Sequence, residues 1–279
     1  MIPLIHHAPA KLNLSLRVLG KRVDGFHDID TLMVKLPELA DHLEFRPSET
    51  FSFSCDDPDV PGDDRNLVVK AVRSYESATG IPCSYAITLK KIIPHGAGLG
   101  GGSSDAATTL LALNQLHTHP LDSARLLDLA ASLGSDVPFF LTPGAARCSG
   151  RGEIIAPESA PPPARVLLLK PSFCVPTPDA YARWSDSLEL PGLCYSPQNI
   201  DSLLLVNDLE RPVFAKYRFL AELKHWLLNR RETTAALLCG SGSAVFAVLR
   251  HDADPTAIAK AARHELDPGL WHWAGSTGA

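Results

Sequence analysis

Residues 12 to 18 alternate between apolar and polar side chains. Leu12, Leu14, Leu16 and Val18 fall on one face, and Lys11, Asn13, Ser15 and Arg17 on the other. That period-two pattern predicts a strand with one buried side. Gly20 to Gly25 reads as a tight connection, and residues 29 to 36 and 42 to 53 as further strands, the second broken by Pro47. The period then changes. After Asn66, the apolar positions Leu67, Val68, Ala71, Val72 and Tyr75 recur at three and four, as on one side of a helix. Ser84 to Leu89 returns to a strand. A glycine-rich stretch leads into Ser103 and Ser104, read as capping residues that open a helix carrying Ala106, Ala107, Leu110, Leu113 and Leu116. A further helix is expected from Ser123 to Leu133, stopped by Gly134.

Four prolines between positions 157 and 165 exclude a continuing helix or a central strand, so a domain boundary is expected there. Beyond it, Val166 to Leu169 and Val245 to Leu249 read as strands. Thr177-Pro178 and Asp254-Pro255 read as helix starts, each with a capping side chain ahead of a proline. Strands and helices mix without a regular βαβ alternation, which predicts an α+β fold.

Composition narrows this picture only moderately. Of the 279 residues, 45% are hydrophobic and 20% charged, enough apolar material for a sizeable core. The longest aliphatic runs are strand-sized, far short of the ~20 residues that span a bilayer. The N-terminus lacks a basic start followed by an apolar segment, so a cytoplasmic protein is expected. A net charge of −5, with both signs well mixed, speaks against a nucleic-acid binder. The six cysteines are scattered without metal-like spacing and are expected to be free thiols.

The chemistry concentrates in Pro94-His95-Gly96-Ala97-Gly98-Leu99-Gly100-Gly101-Gly102-Ser103-Ser104. Such a density of glycine is expensive to order. A flexible linker is the competing reading, but a linker is rarely followed at once by a well-patterned helix. An anion cradle explains both features: glycines let backbone N–H groups close around a phosphate, and the helix adds its positive end. There is no G-x-x-x-x-G-K-[ST] sequence, and the match to G-x-G-x-x-G is weak.

A proline followed by G-L-G-G-G-S-S-x-A-A at the mouth of a helix resembles the ATP-binding motif of the GHMP kinases. Pro9-Ala10-Lys11-Leu12-Asn13-Leu14 resembles the N-terminal motif of that family, and Leu238-Cys239-Gly240-Ser241-Gly242-Ser243 its C-terminal glycine motif. Arg22-Val23-Asp24-Gly25-Phe26-His27, Gly134-Ser135-Asp136-Val137-Pro138-Phe139-Phe140 and Pro176-Thr177-Pro178 resemble one branch of the family in particular. That branch phosphorylates the 2-hydroxyl of a cytidine diphosphate-linked polyol on a route to isoprenoid precursors.

The resemblance implies two α+β domains with the active site between them. Residues 1–160 would form a ribosomal-protein-like domain for ATP binding and catalysis. Residues 161–279 would form a ferredoxin-like substrate domain. It implies ATP and Mg²⁺ as cofactors. Asp136 becomes the general base, and Lys11 the cation that holds the hydroxyl in line and offsets developing phosphoryl charge. Pro94, Gly96, Gly98, Leu99, Gly100, Gly101, Gly102, Ser103 and Ser104 would cradle the triphosphate, with either serine a candidate for Mg²⁺. Asn66 and Lys91 match positions near the adenine or ribose, although Asn66 also reads as a helix cap. On the substrate side, His27 would read the cytosine edge, while Phe26 and Tyr181 would stack on its faces. Asn13, Thr177, Gly240, Ser241 and Gly242 would touch the remainder. No metal ligand set is identified. A homoserine, mevalonate or sugar kinase of the same family stays open, as does a non-catalytic nucleotide-binding regulator, and so does the choice between a monomer and a weak dimer. Nucleic acid and membrane are not expected as partners.

Overall fold

A computed structural model describes residues 3–117, 120–200 and 203–278; Met1 and Ile2, at the start of the N-terminal segment read above, lie outside them. The chain opens with two long antiparallel strands, β1 (Leu4–Lys21) and β2 (His27–Pro47). The two strands expected at 29–36 and 42–53 are thus one strand that ends at Pro47, followed by the short β3 (Ser52–Cys55). Pro37 does not break β2 because it falls in a bulge. Pro9 pairs with Ala40 and Ala10 with Leu36, so residues 37–39 are passed over and the ladder needs no N–H there.

α1 (Leu67–Thr79) follows, with the Asn66 side chain accepting from the Val68 N–H as its cap at 2.8 Å. Then come β4 (Tyr85–Lys90), α2 (Gly101–Leu116), α3 (Ser123–Leu133) and the one-turn α4 (Val137–Phe140). β5 (Ala145–Ser149), β6 (Ile154–Glu158) and β7 (Arg165–Lys170) precede α5 (Thr177–Ala182), β8 (Gln198–Ile200) and β9 (Leu203–Asn207). α6 (Glu210–Lys216), α7 (Arg218–Leu228), β10 (Thr233–Leu238), β11 (Val245–Leu249), α8 (Pro255–Glu265) and β12 (Trp271–Ser276) complete the chain.

Among the described residues the strands make two sheets. The first runs β3-β4-β2-β1-β9-β8, with β5 on β2 and β6 on β5; the second runs β10-β11-β7-β12. The β8–β9 pair comes from the C-terminal half yet joins the first sheet, β9 lying parallel to β1 at Ser15–Val206. The segment after Leu249 also has a clear place: α8 covers the second sheet, β12 forms its edge, and the Gly278 N–H returns to the Lys35 carbonyl at 2.9 Å.

The layers follow from which face of each strand is apolar. Leu12, Leu14, Val34 and Leu36 pack against Leu168, Leu237 and Phe246 of the second sheet. Ala8, Met33, Leu43 and Phe45 on the opposite face pack against α1 to α4. α5 to α8 cover the far side of the second sheet. The order is helix, sheet, sheet, helix, an α+β architecture as expected. Burying each such leucine contributes about 1.5–3 kcal/mol. The alternation that buries Leu12 and Leu14 between the sheets turns Lys11 and Asn13 toward the helical layer.

A buried ion pair secures the C-terminal glycine segment. Glu210 accepts from Lys224 Nζ at 2.6 Å and from the Leu238 N–H at 3.0 Å. Burial raises the pKa of Glu210, and the Lys224 charge opposes that rise. Lys224→Met leaves this carboxylate without its cation. It is expected to lower stability by about 3–5 kcal/mol, read as a shift in the urea midpoint, and Lys224→Met with Glu210→Gln is expected to recover part of the loss.

Candidate active site

The sequence motifs converge on one cleft of about 980 Å³. At its floor, Lys11 Nζ lies 3.4 Å from Asp136 Oδ2, with the lysine side chain 4% exposed and the aspartate 31%. Lys11 also donates to Asn13 Oδ1. Asn13 Nδ2 donates to Thr31 Oγ1 at 2.8 Å, and Thr31 donates to the Ser15 carbonyl at 2.6 Å. This chain fixes the Asn13 amide with its oxygen toward the lysine. Asp136 sits at the N-cap of α4 but caps no N–H with its side chain, which leaves the carboxylate to face Lys11.

The glycine loop lies above this pair. Its Leu99 carbonyl accepts from the Lys11 N–H at 2.9 Å, and its Gly96 and Ala97 carbonyls accept from the Ser243 and Ala244 N–H groups. Two glycines are required by close approach. A Cβ at Gly98 would lie 1.9 Å from the Cys239 carbonyl oxygen, and one at Gly100 would lie 2.9 Å from Phe140 and 3.0 Å from Lys11 Cγ. Both also have φ above +70°.

α2 starts at Gly101 with Gly100 as its N-cap, and no side chain caps it. The expectation that Ser103 and Ser104 cap the helix is therefore corrected: both lie inside the first turn. The leading N–H groups therefore have no side-chain cap. Ser103 lines the cleft, whereas Ser104 is fully buried and its hydroxyl has no partner. Thr177 is likewise not the cap of α5, which is Pro176. Its hydroxyl meets Ser241 Oγ at 2.8 Å and ties α5 to the C-terminal glycine turn. That turn is held by Asn207, which donates to the Leu238 and Gly240 carbonyls at 2.9 and 2.7 Å. Gly240 approaches the polar floor so closely that a Cβ there would lie 3.3 Å from Asn13 Oδ1 and 3.4 Å from Lys11 Nζ.

At the glycine-loop end, Pro94, Asn66 and Lys91 line the cleft. The Asn66 amide is engaged as the α1 cap and donates to the Pro61 carbonyl at 2.7 Å. Lys91 is gripped beneath the loop by Asp41 and by Asp105 at 2.9 Å. Burial would lower the Lys91 pKa, but Asp105 and Asp41 outweigh it and raise it. Asp105 is pushed up to about 7 by burial, with Lys91 opposing and Asp41 adding to the rise; one of its oxygens has no partner.

On the other side lie Phe26, His27 and Tyr181. The His27 ring is 5.3 Å from Tyr181 at a 33° tilt and 6.0 Å from Trp184 edge-on. Burial first, and then the Lys21 charge, lowers the His27 pKa and favours the neutral ring. Burial and the Asp136 charge raise the Tyr181 hydroxyl. Gly242 and Ser104 are the two sequence-predicted residues that do not line the cleft; Gly242 supports the turn from behind, its N–H bound to the Cys239 carbonyl at 2.7 Å.

Three cations on the cleft wall escape motif reading: Lys21, Arg65 and Arg151. The Arg151 guanidinium lies 4.7 Å over the Phe26 ring. Its one sequence signal is the Gly150-Arg151-Gly152 turn, too common to stand out. All six cysteines are unpaired.

Gly98→Ala is expected to lose about 1–3 kcal/mol of stability from backbone conformation alone. It should also abolish the ATP-dependent rise in melting temperature, as scanning fluorimetry would show. The buried acid cluster makes a second prediction. Because Asp105 binds its proton more tightly folded than unfolded, its stabilisation is present at low pH and is lost as pH rises through about 7. Asp105→Asn should flatten the fall in stability between about pH 4 and 7, measured by denaturant unfolding, and an unchanged slope there would contradict it.

Comparison with known proteins agrees with this geometry. The family model for the GHMP kinases N terminal domain matches residues 66–144, and the one for the GHMP kinases C terminal matches residues 196–267. A 4-diphosphocytidyl-2-C-methyl-D-erythritol kinase of Methylacidiphilum infernorum is 44% identical over 95% of this chain and 93% of its own. One from Deinococcus radiodurans is 39% identical over 96% and 92%. A crystal structure of 4-(cytidine 5'-diphospho)-2C-methyl-D-erythritol kinase superposes with a TM-score of 0.79 at 35% identity, covering 99% of this chain and 100% of that one. Homoserine kinase from Cytophaga hutchinsonii shares the fold at a TM-score of 0.71 and 18% identity, over 99% and 95% of the two chains. This chain belongs to the GHMP kinase family.

Proposed function

We propose that this protein transfers the γ-phosphoryl group of ATP to the 2-hydroxyl of 4-diphosphocytidyl-2-C-methyl-D-erythritol. The observation that carries the reading is the Lys11–Asp136 pair, 3.4 Å apart on the floor of a cleft with a glycine loop at one end and His27 with Tyr181 at the other. Phosphoryl transfer asks the protein chiefly for positioning and charge stabilisation. The loop N–H groups and the positive end of α2 would hold the triphosphate. Asp136 would accept the proton of the attacking hydroxyl, and Lys11 would steady that oxygen and the charge building on the phosphoryl group. Neutral His27 can both donate to and accept from a cytosine edge, with Tyr181 and Phe26 supplying aromatic faces.

Among the described residues no three His, Cys, Asp or Glu side chains cluster as a metal cage. Mg²⁺ bound mainly through nucleotide phosphates needs only one or two protein oxygens. Ser103 and Asp105, both on the cleft wall, fit that demand. Mg²⁺ held there would neutralise phosphate charge. Among the described residues no helix is long and apolar enough to cross a membrane.

The test is ATP turnover with Mg²⁺ against the cytidyl compound, homoserine, mevalonate and galactose. Turnover of the cytidyl compound alone is expected, with kcat falling about 10²–10⁴-fold in Asp136→Asn. Preference for homoserine, mevalonate or galactose would redirect the substrate assignment. Bound ATP with no turnover of any acceptor would overturn the kinase reading.

A further inference from the structure

Lys35 on β2 stands directly opposite Lys11 on β1, and both side chains reach the same one-turn helix. Lys11 meets Asp136 at the start of α4. Lys35 Nζ donates to the Phe140 carbonyl at 3.1 Å and to the Thr142 carbonyl, at the end of α4. The backbone N–H groups of Leu141 and Thr142 already bond to Pro138 and Phe139, so Lys35 takes up carbonyls left over where the helix stops. Every residue of α4 is buried, and the Phe140 ring packs on Gly100 of the phosphate loop. Three things therefore move together if α4 shifts: the carboxylate facing Lys11, the ring under the loop, and the loop itself.

The strand does not need a lysine here. No carboxylate pairs with Lys35 among the described residues, and burial by itself pushes its pKa down to about 8. Lys35 is half-buried, and an ammonium taken partly out of water without a counter-charge costs more than an apolar side chain would. What it supplies is a charged grip on a helix C-terminus, where a cation is favoured. The Lys35 Nζ also lies 5.9 Å from the Phe139 ring centroid, on the inner side of the same turn.

We propose that Lys35 is a positioning residue of this enzyme, clamping the C-terminal end of α4 so that Asp136, Lys11 and the phosphate loop keep their reactive spacing. The inference rests on reading Asp136 as the base. Lys11 is the register partner of Lys35 across the strand pair and Asp136 lies at the far end of α4, but no charge from either shifts Lys35, burial being the one cause; α4 presents carbonyls and phenyl rings to it, and the C-terminal segment backbone at Gly278. The ammonium is charged below about pH 8 and loses its proton as pH rises through that value.

The experiment measures kcat and the KM for ATP from pH 6 to 10 in wild type, Lys35→Met, Lys35→Arg and Asp136→Asn, with the cytidyl substrate. In wild type, kcat should fall as pH rises through about 8 while the KM for ATP changes by less than about twofold. Lys35→Met should lower kcat about 10-fold or more at pH 7, again with little change in KM. Lys35→Arg, which stays charged, should keep most of the kcat and lose the alkaline fall. An inactive Asp136→Asn beside a Lys35→Met with wild-type kcat and pH profile overturns the clamp alone. A fully active Asp136→Asn overturns the base assignment, and the clamp with it. If Lys35→Met does not fold, an alkaline fall kept unchanged in Lys35→Arg overturns the proposal by itself.

Discussion

Lys11 and Asp136 come from distant parts of the chain and meet in a place where the lysine charge would be unfavourable alone. The ammonium is buried, and a buried charge without a counter-charge or hydrogen bonds would be strongly unfavourable. Its position is tolerated because Asp136 and Asn13 both accept from it or face it, and Asn13 is in turn oriented by Thr31. Much of the architecture serves that meeting. The β1–β2 ribbon turns Lys11 away from the apolar space between the sheets. α4 carries the carboxylate to it. The glycine loop closes over both through the Leu99 carbonyl and the Gly100 contact. On the proposed reading, a phosphoryl acceptor brought here would meet a carboxylate, a cation and a glycine loop already placed, so little reorganisation would accompany the reaction.

The cleft has an electrostatic layout that the net charge conceals. The chain as a whole is acidic at −5, yet Lys11, Lys21, Arg65, Lys91 and Arg151 line this cavity against Asp24, Asp105 and Asp136, so cations outnumber carboxylates on its wall. Beneath the loop, Lys91 is neutralised by Asp41 and Asp105 and acts as a brace between β4, β2 and α2. Arg151 over Phe26 brings a cation to the aromatic end of the cleft.

Local pattern made several elements legible because short-range physics decides them. The alternation at Leu12 to Val18, the Asn66 cap, the stop at Gly134 and the Asp254-Pro255 start all appear where the residues imply. The glycines of this loop were readable as a turn-forming run, and at Gly96, Gly98 and Gly100 the positive φ values and close contacts do call for glycine. Where local reading failed, a longer-range partner had intervened. Ser103 and Ser104 look like caps, but Gly100 takes that place because its φ of 73° turns the chain tightly beneath Phe140. Thr177 looks like a cap, but its hydroxyl is claimed by Ser241. Pro37 and the merged β2 depend on a bulge opposite Pro9 that no single strand reveals.

The sequence by itself determined the class of fold and the positions of the glycine turns, because periodicity, capping and backbone freedom act over a few residues, and its resemblance to a known family singled out the candidate site residues. Only the tertiary structure decided which of those residues share a cleft, that Ser104 and Gly242 stay behind its wall, and that Arg151, Arg65 and Lys21 join it. It alone decided that β9 completes the first sheet and that Lys35 grips the far end of the helix bearing Asp136. These are contacts between segments far apart in sequence. They are set by how two sheets stack and by which buried polar groups must find partners, and neither leaves a periodic trace along the chain.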